Sequence, residues 1–153
     1  MRVQLDEQCV IKANAQFWEQ MLAMTLNPMV APGEFCVGAG HLLGCVTLGG
    51  VWKGRIEVRM GKELAYQATA VMLMQPLEQV AETDVLDATK EIANMIAGVL
   101  KSSLPQPCTM TVPESVVEAT GFCSVAQTED SLAVAFRHTS GDLMVRVWEQ
   151  ECA

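Results

Sequence analysis

The sequence has few basic residues. Ten lysines and arginines stand against eighteen aspartates and glutamates, so the 153-residue chain has a formal net charge of −8 at pH 7. Proteins that bind nucleic acids normally present a basic face to the phosphate backbone. The scarcity of positive charge therefore argues against a nucleic acid as the partner.

Long apolar runs are also missing, although half of the residues are hydrophobic. No run reaches the roughly 18 to 20 residues that a membrane-spanning helix needs, and the amino terminus has no signal-peptide pattern. The hydrophobic fraction is too high for a disordered chain, and the length suits one domain with a real core. We therefore expect a single soluble, cytoplasmic domain over residues 1–153.

The sequence lacks the usual metal-ligand patterns. Its six cysteines are scattered without a Cys-x-x-Cys pair, and its two histidines are His41 and His138. We therefore expect neither a zinc site nor a disulfide scaffold in a chain of this length. The cysteines are interpreted as small apolar core residues in a reducing compartment.

The hydrophobic pattern predicts both helices and strands. Helical spacing predicts helices at residues 7–26, 62–74 and 84–103. Alternation and turn residues predict strands at residues 35–39, 42–48, 51–60, 108–112, 121–126, 132–138 and 143–148. Gly38, Gly40 and Gly44 lie between strands and open no helix, so they are interpreted as turns, bulges or close packing rather than a dinucleotide site.

This order of elements indicates an α/β (α+β) fold, with a mostly antiparallel sheet and helices packed on it. Val145 and Val147, near the carboxyl end, are expected to offer an open sheet edge where two copies pair. Met72 and Met74, at the end of the second helix, are interpreted as adaptable core packers.

The helix predicted over residues 84–103 has two distinct faces. Apolar residues at helical spacing define the buried face: Val85, Ile92, Met95, Ile96 and Val99. Thr83 or Asp84 is expected to cap its start. A stripe of other residues is turned away from the core: Asp87, Glu91, Asn94, Gly98 and Lys101.

Within this stripe a carboxylate and a carboxamide stand side by side, because Glu91 and Asn94 are three residues apart. Gly98, one turn further on, leaves a bare spot that would let another backbone approach. An exposed polar stripe is the default for a surface helix, so the stripe alone does not define a function.

The stretch Asp87-x-x-x-Glu91-Ile92-Ala93-Asn94-Met95-Ile96-Ala97-Gly98 resembles the helix signature of the CheX, CheC and FliY family of chemotaxis phosphatases. In that signature an acidic or Ser residue is followed by Glu and, three residues later, by Asn. The resemblance extends to residues 13–22, to residues 45–60 with their glycine-rich hairpin, and to the segment that begins at Pro113. In CheC-like relatives the first helix has its own Glu and Asn, whereas here the corresponding turn offers Asp6, Val10 and Ala13, which points to the single-site CheX type.

The resemblance implies a phosphatase that removes the phosphoryl group from the phosphoaspartate of a CheY-like receiver domain. Asn94 would orient the attacking water, and Glu91 would pair with a lysine of the receiver. The protein would need no cofactor of its own, since Mg²⁺ is expected in the partner receiver's active site. Relatives of the CheX type are dimers, so a homodimer is implied as well.

Four further residues of the same helix are expected to contact the partner: Asp87, Lys90, Gly98 and Lys101. Lys90 flanks Glu91, and it would either compete for that carboxylate and repel the receiver's lysine or be an exposed charge paired with Asp87.

Two other functions stay open at the level of sequence. One is a receiver-binding or dimerisation module of the same fold without useful turnover. The other is a small-molecule enzyme that uses Glu91 and Asp87 as a carboxylate pair.

Overall fold

The computed structural model describes residues 5–29, 35–123 and 131–150. Its helices are α1 (Glu7–Leu22), α2 (Lys62–Leu73) and α3 (Glu82–Lys101), with a 3₁₀ turn at Leu77–Gln79. Its strands are β1 (Asn27–Pro28), β2 (Cys36–Val37), β3 (Leu42–Gly50), β4 (Gly54–Met60), β5 (Cys108–Met110), β6 (Glu114–Val117), β7 (Phe122–Cys123), β8 (Ser131–His138) and β9 (Gly141–Glu149).

Within these ranges every strand pairing is antiparallel. The main sheet has the order β1-β8-β9-β4-β3-β5, and β6 pairs with β3 on the same edge as β5. Strands β2 and β7 form a separate two-stranded sheet. The structure thus confirms the predicted class, with three helices packed on an antiparallel sheet.

The helices cover one face of the main sheet. The principal core joins apolar residues of all three helices, such as Phe17, Leu64 and Ile92, to inward-facing strand residues, such as Ile56 and Val145. A smaller cluster lies apart from this core and contains Phe35 and Val37 with Ala133, Ala135 and Met144. None of the described helices is long and apolar enough to cross a membrane.

Helix α3 begins and ends two residues earlier than the sequence predicts. Asp84 lies in its first turn, where Oδ2 accepts a hydrogen bond of 3.0 Å from the backbone N–H of Ala81. Of the two predicted capping residues, Asp84 is therefore the one that satisfies an amide at the helix start. Val85, Ile92 and Ile96 are fully buried, as predicted, whereas Met95 and Val99 are only half-buried at the margin of that face.

The expectation of an open edge at Val145 and Val147 is wrong. Both residues belong to β9, which is hydrogen-bonded to β8 on one side and to β4 on the other. Their side chains are completely buried in the core. The position of a strand within a sheet is set by its pairing partners, and a strand that ends the chain need not lie at the edge.

The interpretation of the cysteines as small apolar core residues is wrong for two of them, Cys36 and Cys123. Cys36 and Cys123 are opposite each other on β2 and β7, with their Cα atoms 4.2 Å apart, and form a disulfide. Cys9 and Cys45 are half-buried free thiols, and Cys108 is buried. Cys152 lies outside the described residues. Eighty-seven positions separate the bonded cysteines in sequence, so their pairing follows from the tertiary structure alone.

Several predicted boundaries shift because turns fall elsewhere. Strand β3 continues through both Gly49 and Gly50, and the chain reverses at residues 51–53 instead. Helix α1 ends at Leu22 because Ala23 takes a left-handed conformation, with φ 53°. The predicted strand at residues 121–126 is seen as β7, and its last three residues lie outside the described part of the chain.

Candidate functional site

The polar stripe predicted on the central helix lies on the surface of α3. Asp87, Glu91 and Gly98 are exposed, and Asn94 and Lys101 are half-buried. From helix geometry, Glu91 and Asn94 are separated by ~4.5 Å along the axis and about 60° around it. The structure therefore presents the carboxylate and the carboxamide together on one accessible side of the helix.

The side chains of Glu91 and Asn94 have no partner of their own. Across residues 5–29, 35–123 and 131–150 neither forms a hydrogen bond or an ion pair. The same holds for Asp87 and Lys90, so the ion pair considered between these two is not formed. The donor and acceptor groups of the stripe are thus available to a molecule that docks on α3.

The other predicted contact residues are spread along the helix. Lys90 is exposed and lies roughly 100° around the axis from Glu91. Lys101 is in the last turn, ~15 Å along the axis from Glu91. A single partner side chain cannot reach both Glu91 and Lys101, so a contact to both requires a surface that extends along α3.

Gly98 leaves a bare spot on the exposed side, as the sequence suggested. A Cβ atom built at Gly98 would have one close neighbour, Met110 Cε at 4.0 Å. Packing within the protein therefore does not require a glycine here, although glycine costs about 1 kcal/mol relative to alanine inside a helix.

Gly44 positions α3 on the sheet, a role that the sequence did not distinguish from a turn or bulge. A Cβ atom at Gly44 would lie 2.9 Å from Ala93 Cβ and 3.0 Å from the carbonyl oxygen of Thr89. Strand β3 thus lies close against α3 at Thr89 and at Ala93, the residue before Asn94. Ser115 of β6 adds a second attachment, since its hydroxyl donates a hydrogen bond of 2.7 Å to the carbonyl oxygen of Leu86.

A groove of about 460 Å³ runs beside Glu91, between the ends of α1 and α2 and the middle of α3. Its eight lining residues include four methionines, Met21, Met72, Met74 and Met95. The interpretation of Met72 as a core packer is correct, because its half-buried side chain packs against the principal core. For Met74 it is wrong, because that side chain is 92% exposed. Met74 is exposed because α2 ends at Leu73, whereas the sequence pattern continues the helix one residue further.

Other candidate chemistries find little support in the described residues. Asp87 does not line the groove beside Glu91, so the two carboxylates share no pocket for a small substrate. Burial raises the pKa of the Cys45 thiol, which disfavours the nucleophilic thiolate. No group of three or more His, Cys, Asp or Glu residues in the described ranges is arranged to hold a metal ion.

Helix α1 has no counterpart of the Glu91 and Asn94 pair. Asp6 is used as a cap, since its Oδ1 accepts a hydrogen bond of 2.9 Å from the N–H of Cys9. This hydrogen bond lowers the pKa of the Asp6 carboxyl. Val10 and Ala13 are buried in the core. This turn therefore offers no carboxylate and carboxamide pair to a docking partner.

The fold is similar to several solved structures of low sequence identity. The chemotaxis protein CheX from Vibrio vulnificus has a TM-score of 0.72 at 19% identity, covering 94% of this chain and 95% of its own. A chemotaxis protein CheX from Desulfovibrio desulfuricans has a TM-score of 0.72 at 18% identity, covering 94% and 97%. CheX in the CheX-CheY-BeF3-Mg²⁺ complex from Borrelia burgdorferi has a TM-score of 0.69 at 16% identity, again covering 94% and 97%.

These similarities define the fold as that of the CheX and CheC-like chemotaxis proteins. The model of the family described as chemotaxis phosphatase CheX matches residues 42–137, which include α3 with Glu91 and Asn94. The chain belongs to this CheX family. No curated protein matches the sequence.

Proposed function

We propose that the protein is a phosphatase that hydrolyses the phosphoaspartate of a CheY-like receiver domain. Family membership supports the class of reaction, and the Borrelia relative is known in complex with CheY, BeF3 and Mg²⁺. The observation that supports this function most directly is the pair of unpartnered polar side chains, Glu91 and Asn94, on the accessible side of α3.

The chemistry requires little from the protein beyond positioning. In phosphoryl transfer most of the catalysis comes from orientation and electrostatic stabilisation. A carboxamide both donates and accepts hydrogen bonds, so Asn94 can hold a water in line with the scissile bond. The water oxygen bonds to phosphorus, the bond to the aspartyl oxygen breaks, and the water proton passes to the released phosphate.

Glu91 and its neighbours fix the orientation of the receiver. The Glu91 carboxylate pairs with a lysine of the receiver, and Mg²⁺ is bound by the receiver alone. Asp87, Lys90 and Lys101 contact the rim of the docked domain, and the bare surface at Gly98 admits one of its loops. These contacts lie along about 20 Å of helix. That length suits the surface of a protein partner and is greater than the length of a small molecule.

The test compares phosphate release from a phosphorylated receiver by the parent and by the Asn94→Ala and Glu91→Gln variants. Removing a positioned hydrogen-bonding group lowers turnover by about 10²- to 10³-fold, so Asn94→Ala should lose turnover to this extent. Glu91→Gln should weaken binding as well. Glu82→Gln, an exposed acid in the first turn of α3, is the matched control and should behave like the parent.

Two outcomes would contradict the proposal. If Asn94→Ala releases phosphate as fast as the parent, the carboxamide has no catalytic role. If the parent binds the beryllofluoride-loaded receiver but never accelerates phosphate release, the protein is a receiver-binding module of the same fold without turnover.

We also propose that the protein acts in the cytoplasm, as a homodimer. As the pairing surface we propose the edge formed by β5 and β6 rather than β9. Val112 and Val116 are exposed there, and edge strands offer unpaired backbone groups. A measured solution mass of one protomer would contradict the dimer.

A further inference from the structure

An apolar groove lies beside Glu91, and we call it the methionine groove, after Met21, Met72, Met74 and Met95. Among the described residues that line it, Glu91 is the one with a charge. Met95 and Glu91 both come from α3, so the groove adjoins the exposed stripe directly.

Exposed apolar residues contribute to this groove. Of the eight large hydrophobic side chains exposed among the described residues, three line it, namely Met21, Val71 and Met74. A clustered apolar surface marks an interaction site more often than scattered residues do. Methionine side chains are flexible and polarisable, and they are over-used on binding surfaces that must adapt to a partner.

A methionine at position 74 is unfavourable both for the stability of the fold and for solubility. It caps the end of α2 in the left-handed conformation, with φ 53°, where glycine is preferred because it has no Cβ. Its side chain is also 92% exposed. The packing of the fold gives no reason for this methionine, whereas a partner that covers the groove would.

We propose that the methionine groove binds an apolar segment of the receiver domain next to its phosphoaspartate pocket. This inference rests on the proposed function. The argument for this occupant is continuity, because the Glu91 carboxylate belongs both to the stripe and to the wall of the groove. A receiver that places a lysine on Glu91 and admits Asn94 lies over the groove at the same time. Its phosphorylated pocket is polar, so the groove supplies the apolar part of the contact.

The test exploits the backbone conformation of Met74. Met74→Gly removes the exposed side chain and relieves the left-handed strain, so the variant should unfold at the same temperature as the parent or a higher one. Ala23→Gly is the matched control, because Ala23 caps α1 with the same φ of 53° and does not line the groove. The probe is a CheY-type receiver of the host, loaded with beryllium fluoride and Mg²⁺.

Met74→Gly should raise the Kd for this probe by about tenfold, the effect typical of a well-buried interface contact. It should raise KM for the phosphorylated receiver by a similar factor and leave kcat unchanged. Ala23→Gly should bind and turn over the receiver like the parent.

Unchanged affinity of Met74→Gly for the probe would overturn the inference. So would a loss of self-association in Met74→Gly without a change in receiver binding, since the groove would then be covered by a second copy.

A failure of the proposed function would give a different result. If the parent binds the probe without releasing phosphate and Met74→Gly weakens that binding, the groove is still the receiver's docking site and only the catalytic proposal fails.

Discussion

Substitution of Gly98 by alanine separates the stability of α3 from its proposed function. The nearest atom to the added methyl group would be Met110 Cε at 4.0 Å, an ordinary contact that introduces no strain. Alanine is favoured over glycine by about 1 kcal/mol inside a helix. For a chain of 153 residues this gain corresponds to a rise of about 2–4 °C in the melting temperature.

The same methyl group should impair binding of the receiver, because it projects from the bare spot where a receiver loop is proposed to approach. We expect Gly98→Ala to weaken binding of the beryllofluoride-loaded receiver by about tenfold, or ~1.4 kcal/mol. Calorimetric titration measures the affinity and thermal unfolding measures the stability. Gly49→Ala is the control. A Cβ atom there also meets nothing within 4 Å, and Gly49 belongs to β3, which lies beneath α3 and not on its exposed side.

Two results would refute this reasoning. A lower melting temperature would mean that the space at Gly98 is not open. A higher melting temperature with unchanged affinity would mean that the receiver does not approach α3 at this position.

Two further substitutions test contacts that stabilise the fold. One is the close contact of β3 with α3 at Gly44, and the other is the disulfide between Cys36 and Cys123. Gly44→Ala should lower the free energy of unfolding by about 1–3 kcal/mol, because the added Cβ would overlap Ala93 and Thr89. A urea titration with no shift in its midpoint would show that the helix moves away freely. Cys36→Ser should lower the free energy of unfolding by up to about 4–5 kcal/mol relative to the oxidised protein, the chain-entropy effect of the 87-residue separation that the disulfide spans. Reduction of the parent with a dithiol should give the same loss in the urea titration.

The periodicity of the sequence was sufficient to predict the three helices and the antiparallel class of the sheet. Each element buries its own apolar side, which is one stripe of a helix or every second residue of a strand. The resulting pattern lies within the sequence of that element and can be recognised there. Element ends were predicted less well. Helix α1 ends where Ala23 adopts a left-handed conformation, and an alanine gives no local signal for such a cap.

The partners of each element required the tertiary structure. Val145 and Val147 read as strand residues in the sequence, but only the pairing of β9 with both β8 and β4 makes that strand internal. Cys36 and Cys123 are likewise brought together by the β2–β7 pairing. Such contacts join residues far apart in the chain, which no local pattern specifies.

The features of the candidate site also fall into those that the sequence predicts and those that depend on the tertiary structure. The sequence alone determined that Glu91 and Asn94 share one side of a helix, because three residues of helix fix their relative direction. Only the tertiary structure decided that their side chains have no partners among the described residues and that Gly44 lets β3 approach α3 closely. It also decided that three methionines, one from each helix, form a groove beside Glu91 together with Met74, which caps α2. The direction of a side chain follows from its own helix, whereas its surroundings depend on how all the elements pack.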